Sequence, residues 1–194
     1  AKIGAVLVNI NPAYRSHELK YVLEQAGIST LISMPKFKTS NYARVIEQVK
    51  DECEQLARIV FIGERTWDEL FAAGRDAGER GVAAVREIQA GLDNGEAINI
   101  QYTSGTTGTP KGAVLTHRNL LANARQAQAW TPSIARGNGC VVYAVLPMFH
   151  AYGLTISVLA GINLGACLLV LPAPEVPLIV EAIKRRTPTF APGV

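Results

Sequence analysis

Short β-rich runs alternate with segments of helical periodicity along most of this chain, and that alternation restricts the fold more than any other feature. Val6-Leu7-Val8-Asn9-Ile10 is one such run, ended by Asn11-Pro12, where proline removes a donor and fixes the backbone. A helix is predicted next. Ser16 caps it, Glu18 sits in its first turn, Leu19, Val22, Leu23 and Ala26 recur at helical spacing, and Gly27 closes it. Strand Thr30 to Met34 follows, then a helix with Tyr42, Val45, Ile46 and Val49 on one face, then strand Arg58 to Ile62. This order predicts an α/β fold, layered αβα, with a mostly parallel sheet.

Residues 67–96 read as a surface insertion, with helices Trp67 to Ala73 and Val82 to Ala90 separated by Gly74, Gly78 and Gly81. Trp67, Leu70 and Phe71 form a small packing patch there. Asp93-Asn94-Gly95 turns the chain into a strand, Ala97 to Tyr102. Further on, Thr116 caps a helix that runs to Trp130, with Leu120, Leu121 and Ala124 inward. His117 and Arg118 open that helix as polar first-turn residues.

No Asp, Glu, Lys or Arg occurs from Gly137 to Pro174, and the apolar run from Gly153 to Pro172 is long enough to raise a membrane span. His150, Thr155, Ser157, Asn163 and glycines 153, 161 and 165 argue instead for a buried helix near 153–163 and a buried strand near 167–171. The last helix, Glu175 to Arg186, turns Val176, Ile179, Val180 and Ile183 inward and carries three basic residues in its final turn.

Between the strand at 97–102 and an apolar Ala113-Val114-Leu115 lies Tyr102-Thr103-Ser104-Gly105-Thr106-Thr107-Gly108-Thr109-Pro110-Lys111-Gly112. Glycines allow close backbone approach, hydroxyls and amides donate to phosphate oxygens, and lysine adds a mobile positive charge. Thr103, Ser104, Gly105, Thr106, Thr107, Gly108 and Lys111 are therefore candidate nucleotide-phosphate ligands. The common P-loop needs Gly before the lysine and Ser or Thr after it; here Pro110 and Gly112 hold those places. A second candidate, Leu146-Pro147-Met148-Phe149-His150-Ala151-Tyr152-Gly153, follows the strand Val141 to Val145. Phe149 offers an apolar wall, His150 a proton donor or acceptor, and Gly153 room beside the backbone for a substrate. Ligands gather beyond the carboxyl ends of parallel strands, so both segments are expected on one sheet edge.

Charge and cysteine content narrow the partners. The net charge is +3, from nineteen basic and sixteen acidic residues, too small a bias for a nucleic-acid partner or an anionic membrane. Cys53, Cys140 and Cys167 are odd in number, far apart and set among apolar residues, as in a reducing compartment, and no metal-ligand spacing occurs. The expected location is cytoplasmic, with peripheral membrane attachment allowed.

The run YTSGTTGTPKG resembles the signature of the adenylate-forming (AMP-binding) acyl-CoA synthetase superfamily, and LPMFHAYG resembles its second signature. NINP and TPTFAPGV resemble the acyl-CoA ligase branch, with a long-chain fatty-acid-CoA ligase as the preferred subgroup and an aryl-acid ligase as the alternative. The resemblance implies ATP with Mg2+, coenzyme A and a small-molecule carboxylic acid as reactants. It assigns Lys111 and the loop to the phosphates, and Phe149 and His150 to the acyl pocket, with His150 and Lys111 as catalytic candidates; Gly153 stays a substrate-binding candidate on the room it leaves beside the backbone. Both chain ends look cut, so residues 1–194 are expected to be part of the large N-terminal domain. The superfamily's YGxTE-like segment, ribose-binding aspartate, hinge and C-terminal lysine are not among these residues, so the piece alone is expected to be inactive. A bare phosphate-binding module is the competing reading.

Overall fold

The computed structural model describes residues 2–103, 109–131, 134, 137 and 139–193. It divides into two compact units, one of Ala1–Asp93 with Ile98–Val114, the other of Asn94–Ala97 with Leu115–Val194.

In the first unit, β1 (Leu7–Asn9) pairs in parallel with β4 (Ala97–Thr103), Leu7 opposite Asn99, and β5 (Lys111–Thr116) lies on the other side of β4. Strands β2 (Thr30–Ser33) and β3 (Arg58–Phe61) form a separate parallel pair, Leu31 opposite Ile59. Helices α1 (Ser16–Gln25) and α2 (Tyr42–Glu47) bury Leu19, Leu23 and Ile46 with Leu31, Val49 and Cys53 in one core. Ser16 is the first helical residue and Arg15 the cap, because Glu18 reaches back to accept the Arg15 backbone N–H at 2.8 Å. Gly27 closes α1 at φ +60°, as the spacing predicts.

Helix α3 (Arg65–Gly91) breaks at one residue, Gly78, with φ 50° and ψ −135°; Gly74 and Gly81 stay within it. None of its residues is buried, and the Trp67 and Phe71 rings meet at 4.9 Å, so this stretch is a surface helix with a local packing patch.

In the second unit, all four residues of β6 (Val141–Ala144) are buried. It pairs in parallel with β7 (Cys167–Val170) on one edge, while Thr189 and Phe190 hydrogen-bond to its other edge. A strand buried on both faces needs a continuous apolar run, and this one has it. Cys140, Val142 and Leu164 pack on one face, Val141, Tyr143 and Ala182 on the other. Helix α4 (His117–Trp130) is capped by Thr116, whose hydroxyl accepts the Asn119 N–H at 3.2 Å.

The apolar stretch 153–171 is not a continuous helix. A π-helical segment, Gly153–Leu159, runs into α5 (Ala160–Leu164), which ends at left-handed Gly165. Among the described residues no helix is long and apolar enough to cross a membrane.

Three further expectations are corrected. Leu121 is exposed, and Ala124 is the buried residue of α4. On α6 (Val176–Arg185), Val176, Val180 and Ile183 are exposed and the helix meets the sheet through Ala182. Strands β4 and β6, expected in one sheet, belong to separate pairings in different units.

Candidate functional site

Alternation along β4 sorts its side chains. Asn99, Gln101 and Thr103 share one face and Ile98, Ile100 and Tyr102 the other. The polar face is buried at Asn99 and Gln101. Asn99 donates to the Leu7 carbonyl at 2.9 Å, and Asn9 donates to Gln101 at 3.3 Å. The Asn99 Oδ1 has no hydrogen-bond partner among the described residues.

This strand delivers the chain to the first candidate. Thr103 ends β4 and Lys111 begins β5, both exposed, and the Thr103 hydroxyl donates to the Lys111 carbonyl at 3.5 Å, the outer limit of such a bond. Ser104, Gly105, Thr106, Thr107 and Gly108 lie outside the described residues. Next to Lys111, a Cβ on Gly112 would stand 2.9 Å from Ile100 Cγ2 and 3.1 Å from the Tyr102 ring. The two ends of the loop are therefore joined at their base by direct packing as well as by the strand pairing. Tyr102 donates its hydroxyl to Gln25 at 2.8 Å. Sequence reading missed Gln25, because nothing local marks a residue on another element. The polar alternation at Asn99 and Gln101 is the one mark of this face that the sequence carries.

The second candidate leaves β6 through Pro147. The His150 N–H donates to the Pro147 carbonyl at 3.1 Å, and the His150 carbonyl accepts from Leu154 at 2.9 Å. His150 is exposed, and its Nδ1 accepts the Tyr152 N–H at 3.2 Å. With Nδ1 occupied as an acceptor, the neutral ring carries its proton on Nε2 and presents a donor outward. Phe149 beside it is half-buried. At Gly153 the structure gives a different reason for glycine than space for substrate. A Cβ there would lie 2.2 Å from the Pro147 carbonyl oxygen, so the segment's own backbone fills that space.

At the start of α4 the His117 N–H donates to the Glu96 carbonyl at 3.3 Å and the Arg118 N–H to the Asn94 carbonyl at 2.9 Å, so the first amides of the helix are occupied. The same unit holds a cavity of ≈ 470 Å³, lined by Gln126 and Thr131 at polar positions and by Val142, Ile156, Leu164 and Phe190. Among the described residues no three His, Cys, Asp or Glu side chains cluster as a metal site. Thr103 and Lys111 thus come together in the first unit, and Phe149, His150 and Gly153 in the second.

Residues 1–194 match the family described as AMP-binding enzyme. The chain is 32% identical to the mitochondrial medium-chain acyl-CoA ligase ACSF2 of Bos taurus, over 100% of this chain but only 34% of that protein. Its fold is similar to the inhibitor-bound N-terminal domain of FACL13 from Mycobacterium tuberculosis, with TM-score 0.70 and 24% identity over 98% of this chain and 44% of that one. It is equally similar to the anthranilate CoA ligase AuaEII in complex with anthranoyl-AMP, with TM-score 0.70 and 23% identity over 98% of this chain and 35% of that one.

Proposed function

The chain belongs to the AMP-binding enzyme family, and from that premise we propose that it supplies the phosphate loop and part of the acyl pocket of an ATP-dependent acyl-CoA ligase. A carboxylate oxygen attacks the α-phosphorus of ATP, releasing pyrophosphate and leaving an acyl adenylate. The thiol of coenzyme A then attacks the acyl carbonyl, and AMP departs with the bonding pair.

In this reading the hydroxyls and amides of Thr103, Ser104, Gly105, Thr106, Thr107 and Gly108 donate to the departing phosphates. Lys111 offsets their charge, and magnesium arriving with ATP shares it. Donors aimed at charge that grows in the transition state lower the barrier more than they tighten ground-state binding. The single observation that supports this most is the closed base of the loop, where Tyr102 packs on Gly112 beside an exposed Lys111. Phe149 provides an apolar wall. His150, with its Nδ1 engaged by Tyr152, serves as an Nε2–H donor that orients the carboxylate or adenylate, and not as the base.

A fatty acid is the preferred substrate, on the likeness to a medium-chain ligase. An aryl acid is the second reading, favoured by the likeness to an anthranilate ligase. The chain spans 34% of the length of the ACSF2 relative, and in this reading it forms part of an N-terminal domain that does not complete ligation on its own. Free Cys53, Cys140 and Cys167 fit a reducing, cytoplasmic setting.

The test is thioester formation by the full-length protein with ATP, coenzyme A and a panel of straight-chain and aromatic acids. A straight-chain preference of about tenfold or more in kcat/KM supports the fatty-acid reading, where one or two methylenes contribute on that order. The opposite preference establishes the aryl reading, and no thioester from any acid removes the proposal. ATP binding to these 194 residues without any ligase activity in the full-length protein would favour a binding module.

A further inference from the structure

The phosphate loop is tied to a helix far from it in sequence. Helix α1 is fixed by burial of Leu19 and Leu23 in the core with Leu31, Ile46, Val49 and Cys53. Its last residue, Gln25, donates Nε2–H to the Tyr21 hydroxyl at 2.6 Å, which orients the amide and leaves Oε1 toward Tyr102. The Tyr102 hydroxyl donates to that Oε1 at 2.8 Å. The tyrosine is 9% exposed and immediately precedes Thr103. On its other side the ring lies against Gly112, where an added Cβ would come within 3.1 Å of Cζ, and Gly112 follows Lys111.

We propose that Gln25 is a positioning residue for the phosphate loop, holding the Tyr102 ring against Gly112 so that Thr103 and Lys111 are presented at a fixed separation. The contact runs from a packed helix through one hydrogen bond to one ring and then to the residue beside the lysine. All four residues, Gln25, Tyr102, Lys111 and Gly112, lie within the first compact unit. Burial raises the Tyr102 hydroxyl above its ordinary value of 10.0, so it remains a donor at neutral pH. The proposal rests on the reading of residues 103–111 as a phosphate site.

Steady-state kinetics on the full-length protein test it. Gln25→Leu and Tyr102→Phe each remove the hydrogen bond, and each is expected to lower kcat/KM for ATP about fivefold with KM for the acid and for coenzyme A unchanged. The double variant is expected to match the worse single one, because both break the same contact. Gln25→Glu keeps the acceptor and is expected within about twofold of the parent value. An unchanged kcat/KM for ATP in Gln25→Leu, additive effects in the double variant, or a Gln25→Glu protein as impaired as Gln25→Leu would each overturn the positioning role. Lys111→Ala in the same assay separates the two claims: if it too leaves ATP kinetics untouched, the phosphate site itself is wrong; if it alone impairs them, only the role of Gln25 fails.

Discussion

Glycines 153 and 74 show how one residue type serves different ends. A methyl group at 153 would meet the Pro147 carbonyl oxygen at 2.2 Å and its carbon at 2.8 Å, both backbone atoms that cannot rotate aside. Gly153→Ala is expected to cost about 3 kcal/mol through forced displacement of that turn, read as a lower midpoint in urea unfolding. A residue kept small only to admit substrate would leave the midpoint unchanged. Gly74, inside α3 with open space around it, is the counterpart. Gly74→Ala is expected to stabilise by about 0.5–1 kcal/mol, because alanine loses less backbone freedom on folding. The presence of these glycines was legible in the sequence, but the reasons were not. A glycine forced by its neighbour's carbonyl and one lying in open space have the same letter.

At the level of elements, periodicity predicted where strands and helices lie but not their partners. The starts of β2, β3, β4 and β6 and both ends of α4 stand where apolar spacing and the Thr116 cap put them. Thr116 is the clearest local signal. Its hydroxyl accepts from Asn119 while the Asn119 side chain accepts the Thr116 N–H at 3.0 Å. Thr116→Ala is expected to cost about 1 kcal/mol, with Thr116→Ser recovering most of it, measured by thermal or urea unfolding. The errors come from contacts that spacing does not encode. An apolar stripe on α6 does not reveal what covers it, and Val176, Val180 and Ile183 are exposed in this structure. Two strands followed by candidate loops do not thereby share a sheet, and β4 and β6 do not. The π-helical Gly153–Leu159 is an irregularity that helical periodicity does not distinguish from an α-helix.

For the whole molecule, proton linkage predicts an alkaline limit to stability. Burial raises the thiols of Cys53 and Cys140 above 9.0 and the hydroxyls of Tyr14 and Tyr102 above 10.0, so the folded state favours their neutral forms. The unfolded chain loses these protons first. The stabilisation is therefore complete below the ordinary values and is lost as pH rises through the higher folded ones. Lys20 and Lys50, raised chiefly by hydrogen bonds to Glu52 and Glu47, act in the same direction. Unfolding midpoints are expected to hold steady to about pH 9 and to fall beyond it; a midpoint that rises between pH 9 and 10.5 would contradict the burial of these groups.

The central claim joins the loop at 103–111 to carboxylate activation, and isotope exchange between ATP and pyrophosphate in the full-length protein measures that step without coenzyme A. Exchange is expected only when a carboxylic acid is present, and Lys111→Ala is expected to slow it by about tenfold or more, the loss of a charge-assisted contact worth about 1.5–3 kcal/mol. Exchange that proceeds without any acid, or that keeps its full rate in Lys111→Ala, would contradict the account.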